Sequence, residues 1–196
     1  MTEEEVWQII DPDDMWILDK LILSKKLRYK CGPTGTDVSN PGHYIVRPCV
    51  NAFGLGLDTQ ITYIKDSTDH LPPGHFWCEV FEGRHLSVDY HRGTQVLCVE
   101  GFKDSDTFTR WREWRRTDDV IPMPSIIQHL TSKYEWINCE FIGGKLIEVH
   151  LRQNLDFTKD IDHFIPVWQD QDTIPPDGYQ YRNYPDVHGR IGAFIK

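Results

Sequence analysis

No stretch of the 196 residues approaches the roughly 20 consecutive apolar positions that a membrane-spanning helix needs. The opening MTEEEVWQIIDPDD has no basic segment ahead of an apolar one, so it does not read as a secretory signal. Neither CxxC nor HExxH occurs, and the five cysteines (Cys31, Cys49, Cys78, Cys98, Cys139) are odd in number and scattered. Their spacing supports neither a disulfide framework nor a paired-ligand zinc site, and buried free thiols in a reducing cytoplasm are the expectation. Positive charge is scarce: 21 Lys and Arg against 30 Asp and Glu leave a net charge of −9, which argues against a bulk nucleic-acid binder. Internal repeats and low-complexity segments are absent too. At 39% hydrophobic and 26% charged, the composition suits a soluble globular chain of one large domain or two small lobes.

What is present is organised around Glu135 to Arg152, EWINCEFIGGKLIEVHLR. Alternation of period two runs through both halves, predicting two strands joined by a tight loop. Ile137, Cys139 and Phe141 form one apolar row and Ile147, Val149 and Leu151 another. A two-residue loop at Gly143-Gly144 would pair Glu140 with Ile147 and mix the faces. A three-residue loop, Gly143-Gly144-Lys145, keeps the core face apolar and sets Glu140 opposite Glu148 and Asn138 opposite His150. Facing carboxylates destabilise a sheet by up to about 1 kcal/mol, so the three-residue register predicts a cation between them or a shared proton. Oxygen ligands on neighbouring strands suit Mg²⁺. Without the metal, removing one of the two should stabilise the chain slightly. A solvated polar face with two uncoupled glutamates is the alternative.

The remaining chain predicts a helix over 14–26, a glycine-bearing loop at 51–58 and strands at 43–50 and 59–65. A meander follows over 75–102, then a short helix at 125–134 capped by Ser125. The tail 154–196 reads as irregular apart from a last strand, RIGAFIK. The run TFTRWREWRR carries Arg112, Arg115 and Arg116 around Trp111 and Trp114. These arginines could hold an acceptor or a phosphate, or simply form a solvated basic helix packed by two indoles.

In this order the pieces resemble the nucleotide-binding half of the ATP-grasp superfamily, over roughly residues 32–152. There a strand with a Lys-Pro pair leads to a small-residue loop, and YIVRPCVNAFGLG stands in that place. WCEVFEGRHLSVDY resembles the hinge and the strand after it. INCEFIGGKLIEVHLR resembles the hairpin that supplies an acid and a Glu-x-Asn. The resemblance implies an α+β, ATP-grasp-like fold: two small lobes of antiparallel sheet with packed helices around a cleft, dividing at 1–75 and 76–196. It implies ATP with Mg²⁺ (Mn²⁺ as a substitute), and metal ligands at Glu140, Glu148 and His150. Arg47 would hold phosphates and act in catalysis with Arg152. Gly54 and Gly56 would cover the phosphates, Glu79, Val80 and Phe81 would meet the adenine, and His85 the ribose.

Two departures stand out. Arg47 replaces the usual Lys, a planar fork in place of a point charge. His150 replaces Asn, a donor that favours Mn²⁺ or Zn²⁺ over Mg²⁺. Three functions follow: a carboxylate–amine ligase working through an acylphosphate, a non-catalytic interaction module derived from that fold, or a metal-dependent hydrolase using Glu140, Glu148 and His150. The family's usual N-terminal lobe has no counterpart in the thirty or so residues before Gly32, so a partner protein or the tail would supply the acceptor surface.

Overall fold

The computed structural model describes residues 2–50, 56–103 and 108–196. The chain forms two compact units: 1–83 with 139–150, and 84–138 with 151–196. The expected division at 75/76 is thus displaced to Gly83/Arg84, and the second half of the central hairpin belongs to the first unit.

In the first unit, α1 (Glu3–Ile9) starts at a capping box, in which the Thr2 hydroxyl accepts from Glu5 N–H and the Glu5 carboxylate accepts from Thr2 N–H. The single helix expected over 14–26 is broken. A 3-10 helix covers Pro12–Leu18, and α2 covers Lys20–Lys26. The break is Asp19, whose backbone is extended and whose carboxylate caps Ile22 N–H. An aspartate gains more as an N-cap than inside a helix, so it restarts the helix.

Strands β1 (Cys31–Pro33), β2 (Gly42–Pro48), β3 (Gln60–Ile64) and β4 (His75–Glu79) form an antiparallel sheet in the order β1-β4-β2-β3. Tyr44, Val46, Ile64 and Trp77 project from it into a core completed by Val38 and Leu71.

The second unit is built on β5 (His85–His91), β6 (Thr94–Phe102), β7 (Glu113–Arg116), β10 (His163–Trp168), β11 (Gln180–Val187) and β12 (Arg190–Ile195). They run in the order β11-β12-β10-β7-β6-β5. Its apolar face buries Leu97, Val99, Phe164, Ala193 and Ile195 against Phe157 and Ile161. The tail is therefore not irregular. Pro166 hid β10 from a sequence reading, yet β7 pairs β10 only at His163 and Phe164. Beyond them a missing N–H on that edge costs no ladder bond. The basic run is likewise a strand, β7, not a helix. The segment expected as a helix at 125–134 is a 3-10 helix, Ser125–Ser132, with Pro124 rather than Ser125 at its N-cap. Among the described residues no helix is long and apolar enough to cross a membrane.

The hairpin β8 (Trp136–Ile142) and β9 (Lys145–His150) closes through Gly143-Gly144 alone. Both glycines have positive φ, +54 and +78, the signature of a type I′ turn. The three-residue loop is overturned: with Ile142 opposite Lys145, Glu140 falls opposite Ile147 and Glu148 opposite Cys139. The mixed faces are tolerated because β9 is buried on both sides from Leu146 to His150, and its glutamate is charge-paired. A Cβ on Gly143 would press on the Glu82 carbonyl oxygen, whereas one on Gly144 would meet nothing. Gly144→Ala should therefore cost only the left-handed backbone penalty, about 1–2 kcal/mol. Gly143→Ala should cost clearly more, as read from the urea midpoints of the two variants.

Candidate functional site

Arg47 lies on β2, opposite Phe76 of β4. Although charged, it is only 7% exposed. Its guanidinium sits over the Phe76 ring at 5.2 Å and donates from Nη2 to the Ile147 carbonyl at 3.1 Å. Its Nε has no hydrogen-bond partner. Burial pushes its pKa down, opposed first by the Glu148 carboxylate and more weakly by Glu140. A buried cation with an idle donor has unspent capacity for an anionic oxygen.

Glu148 does not face Glu140. Its Oε2 meets Lys20 Nζ at 3.3 Å and its Oε1 lies 3.3 Å from His150 Nε2. Lys20, Glu148 and His150 are 5%, 9% and 6% exposed. Lys20 is held there by the first residue position of α2 and by its own N–H, which donates to the Cys49 carbonyl at 2.8 Å. Beside them lies a cavity of about 10 Å³, the room of a single water, whose lining includes Trp7, Lys20, Val50, Glu148 and His150. The slight stabilisation expected on removing one carboxylate is overturned, because Glu148 is the counter-charge of a buried ammonium.

The hinge residues also belong to the first unit. The Glu79 carboxylate accepts from Lys30 N–H at 2.8 Å, and Phe81 packs edge-on against Tyr29 at 4.8 Å. Gly56 is in a turn with φ of +66; Gly54 lies outside the described residues. Burial pushes the thiol of Cys78, on the strand that ends at this hinge, up to about 12.

Two expected site residues lie in the second unit. The His85 ring stands edge-on to Trp111 at 4.7 Å and Trp114 at 5.5 Å. Arg152 donates to the Gln153 carbonyl at 3.1 Å. Two polar clusters there escaped the sequence reading. Asp89, 3% exposed, accepts from Asn138 Nδ2 at 2.7 Å and from Asn154 N–H at 3.0 Å. Glu113, His163 and Tyr179 form a hydrogen-bonded chain. Neither cluster has a local spacing that could announce it, since each draws on three separate chain segments.

No family model matches the sequence, and no curated protein does. Among solved structures, the fold matches a protein from Archaeoglobus fulgidus assigned to the ATP-grasp superfamily. The identity is 14%, the TM-score 0.53, and the match covers 93% of this chain and 64% of that one. The chain shares the fold of that protein. The chain thus spans less than two thirds of that ATP-grasp protein's length. The ATP-grasp ligase PsnB, solved with a minimal precursor, is similar over 74% of this chain and 54% of its own, at 10% identity and a TM-score of 0.46. D-alanine–D-alanine ligase from Bacillus anthracis is similar over 69% and 56%, at 15% identity and a TM-score of 0.37.

An ATP-grasp fold raises the question of ATP and a divalent ion. Arg47 Nε is a donor that a phosphate oxygen could accept from. The metal does not fit the hairpin as it stands. Both Glu148 oxygens are engaged by Lys20 and His150, and Glu140 is opposite Ile147. Among the described residues no three His, Cys, Asp or Glu side chains are grouped to hold a metal ion.

Proposed function

We propose that this protein binds ATP through its first unit, as an ATP-grasp protein of the ligase type. The observation that carries the reading is the buried Arg47 guanidinium with its unpartnered Nε. Arg47 would hold phosphate oxygens by charge-assisted hydrogen bonds, which are about twice as strong as neutral ones. The backbone of Glu79, Val80 and Phe81 would meet the adenine, with Gly56 over the phosphates. Bound ATP supplies an electrophilic γ-phosphoryl group. In a carboxylate–amine ligase the acceptor carboxylate takes that group as an acylphosphate, which the amine then displaces. In this scheme Arg47 would neutralise charge on the phosphates.

A second reading has its own support. Lys20 already neutralises Glu148, which favours an ATP-grasp module that binds its nucleotide or partner without ligating. The hydrolase reading has no metal-donor cluster behind it among the described residues.

Calorimetric titration of ATP, with and without Mg²⁺, tests the proposal. Saturable binding weakened at least about tenfold by Arg47→Met, the scale of one charged hydrogen bond, is the expected result. ATP consumption that requires an added carboxylate and amine would identify a ligase; binding without turnover would identify the module. No binding of ATP at millimolar concentration by the folded parent would overturn the nucleotide reading.

A further inference from the structure

The second unit holds a constellation that the nucleotide reading does not use. On β7 and β10, Glu113 and His163 lie on the same sheet face: His163 is opposite Arg115, two residues along from Glu113. His163 Nε2 meets Glu113 Oε2 at 2.6 Å, and His163 Nδ1 meets the Tyr179 hydroxyl at 2.5 Å. Arg115 donates to both Glu113 oxygens, from Nε and Nη2, and Arg112 donates to Oε1 from Nε and Nη2. Burial alone would raise the Glu113 pKa, but hydrogen bonds from Arg115, then His163 and Arg112, outweigh it and hold the carboxyl below the usual range.

An ionised carboxylate only accepts, so His163 Nε2 is the donor to Glu113. In the neutral imidazole Nδ1 then faces the Tyr179 O–H with its lone pair. A hydroxyl against a base, with the base oriented by a third group, is the geometry of an activated nucleophile. The surroundings are cationic. The Arg112 and Arg115 side chains remain 46% and 55% exposed, and both lie against Phe102. Lys196 Nζ is 5.9 Å from the centre of the Tyr179 ring.

We propose that Tyr179 is a nucleophilic phenol for a phosphoryl-bearing substrate, with His163 as its base, Glu113 as the positioning residue and Arg112, Arg115 and Lys196 drawing in the anion. In the step, the Tyr179 proton passes to His163 Nδ1 and the phenol oxygen forms a bond to phosphorus. The bond from phosphorus to the leaving oxygen breaks, and its electron pair departs with that oxygen, which takes the proton back from His163. The product is a phosphotyrosine at Tyr179. The step needs neither a metal nor the Arg47 site, so it stands or falls independently of ATP binding there.

The test uses an anionic aryl sulfonyl fluoride, 4-(fluorosulfonyl)benzoate, on the full chain. The Tyr179 oxygen forms a bond to sulfur, fluoride leaves with the S–F electron pair, and His163 takes the proton. Labelling is mapped by peptide mass spectrometry. Tyr179 should label at least about tenfold faster than any other tyrosine, a low value for general-base assistance. Millimolar inorganic phosphate should protect it. His163→Asn should erase the advantage while leaving the circular dichroism unchanged. Labelling of Tyr179 at the rate of the other tyrosines, or the absence of phosphate protection, overturns the proposal. So does full reactivity in a folded His163→Asn protein. If that variant does not fold, selectivity and protection in the parent decide alone.

Discussion

Lys20→Met should lower the stability of the protein by about 3–5 kcal/mol, the cost of removing one partner from a buried ion pair. The Glu148 carboxylate, 9% exposed, would lose the Lys20 ammonium at 3.3 Å, which is part of what offsets its charge. For a chain of this length that corresponds to a fall in Tm of roughly 10 °C, measurable by thermal unfolding. Glu148→Gln should cost a similar amount, since it strands the ammonium. The double variant Lys20→Met/Glu148→Leu should recover most of the loss, because apolar groups of similar volume replace such pairs at little cost. The same series bears on metal binding. The parent should show no rise in Tm with millimolar Mn²⁺, because Lys20 and His150 already engage Glu148. An unchanged Tm in Lys20→Met would show that the pair contributes nothing.

Asp89→Ala should be nearly as damaging, at about 3–4 kcal/mol. The chain leaves the second unit at Asn138 and re-enters it at Leu151, and Asp89 ties both ends down. One carboxylate oxygen takes the Asn138 amide at 2.7 Å, and both oxygens take the Asn154 N–H at 3.0 Å. Hydrogen bonds to a charged group contribute about 1.5–3 kcal/mol each, and the Asn138 amide would keep the Ser87 hydroxyl at 2.9 Å. Asn138→Ala should cost less, about 2 kcal/mol, because the carboxylate keeps Asn154. A double-mutant cycle on the urea midpoints should show coupling of about 1 kcal/mol or more between the two positions; additive losses would mean that the tether is not shared.

The comparison of β8 and β9 with their sequence shows what alternation can and cannot carry. Both strands were legible, because side-chain direction alternates with a period that local sequence displays. Their register was not. It turned on whether Lys145 belongs to the loop, and the argument for a longer loop assumed that β9 has one wet face. β9 is buried on both, so no polar face had to be kept apart. The tail failed for a related reason: Pro166 and Pro185 mark breaks in a free strand, but the neighbours of β10 decide whether a missing N–H matters.

The sequence by itself determined that this is a strand-rich α+β chain, and the order of its motifs resembled the fold that a solved ATP-grasp protein shares with it. It also picked out Arg47 as the cation on β2. Tertiary structure alone decided what each charge does. Lys20 and Glu148 are distant in the chain and meet only because α2 packs on β9. Glu113, His163 and Tyr179 meet only because β7 and β10 pair and the chain before β11 folds beside them. Strand formation follows from periodicity within a few residues, whereas the partner of a buried charge is whatever the packed chain brings within about 4 Å.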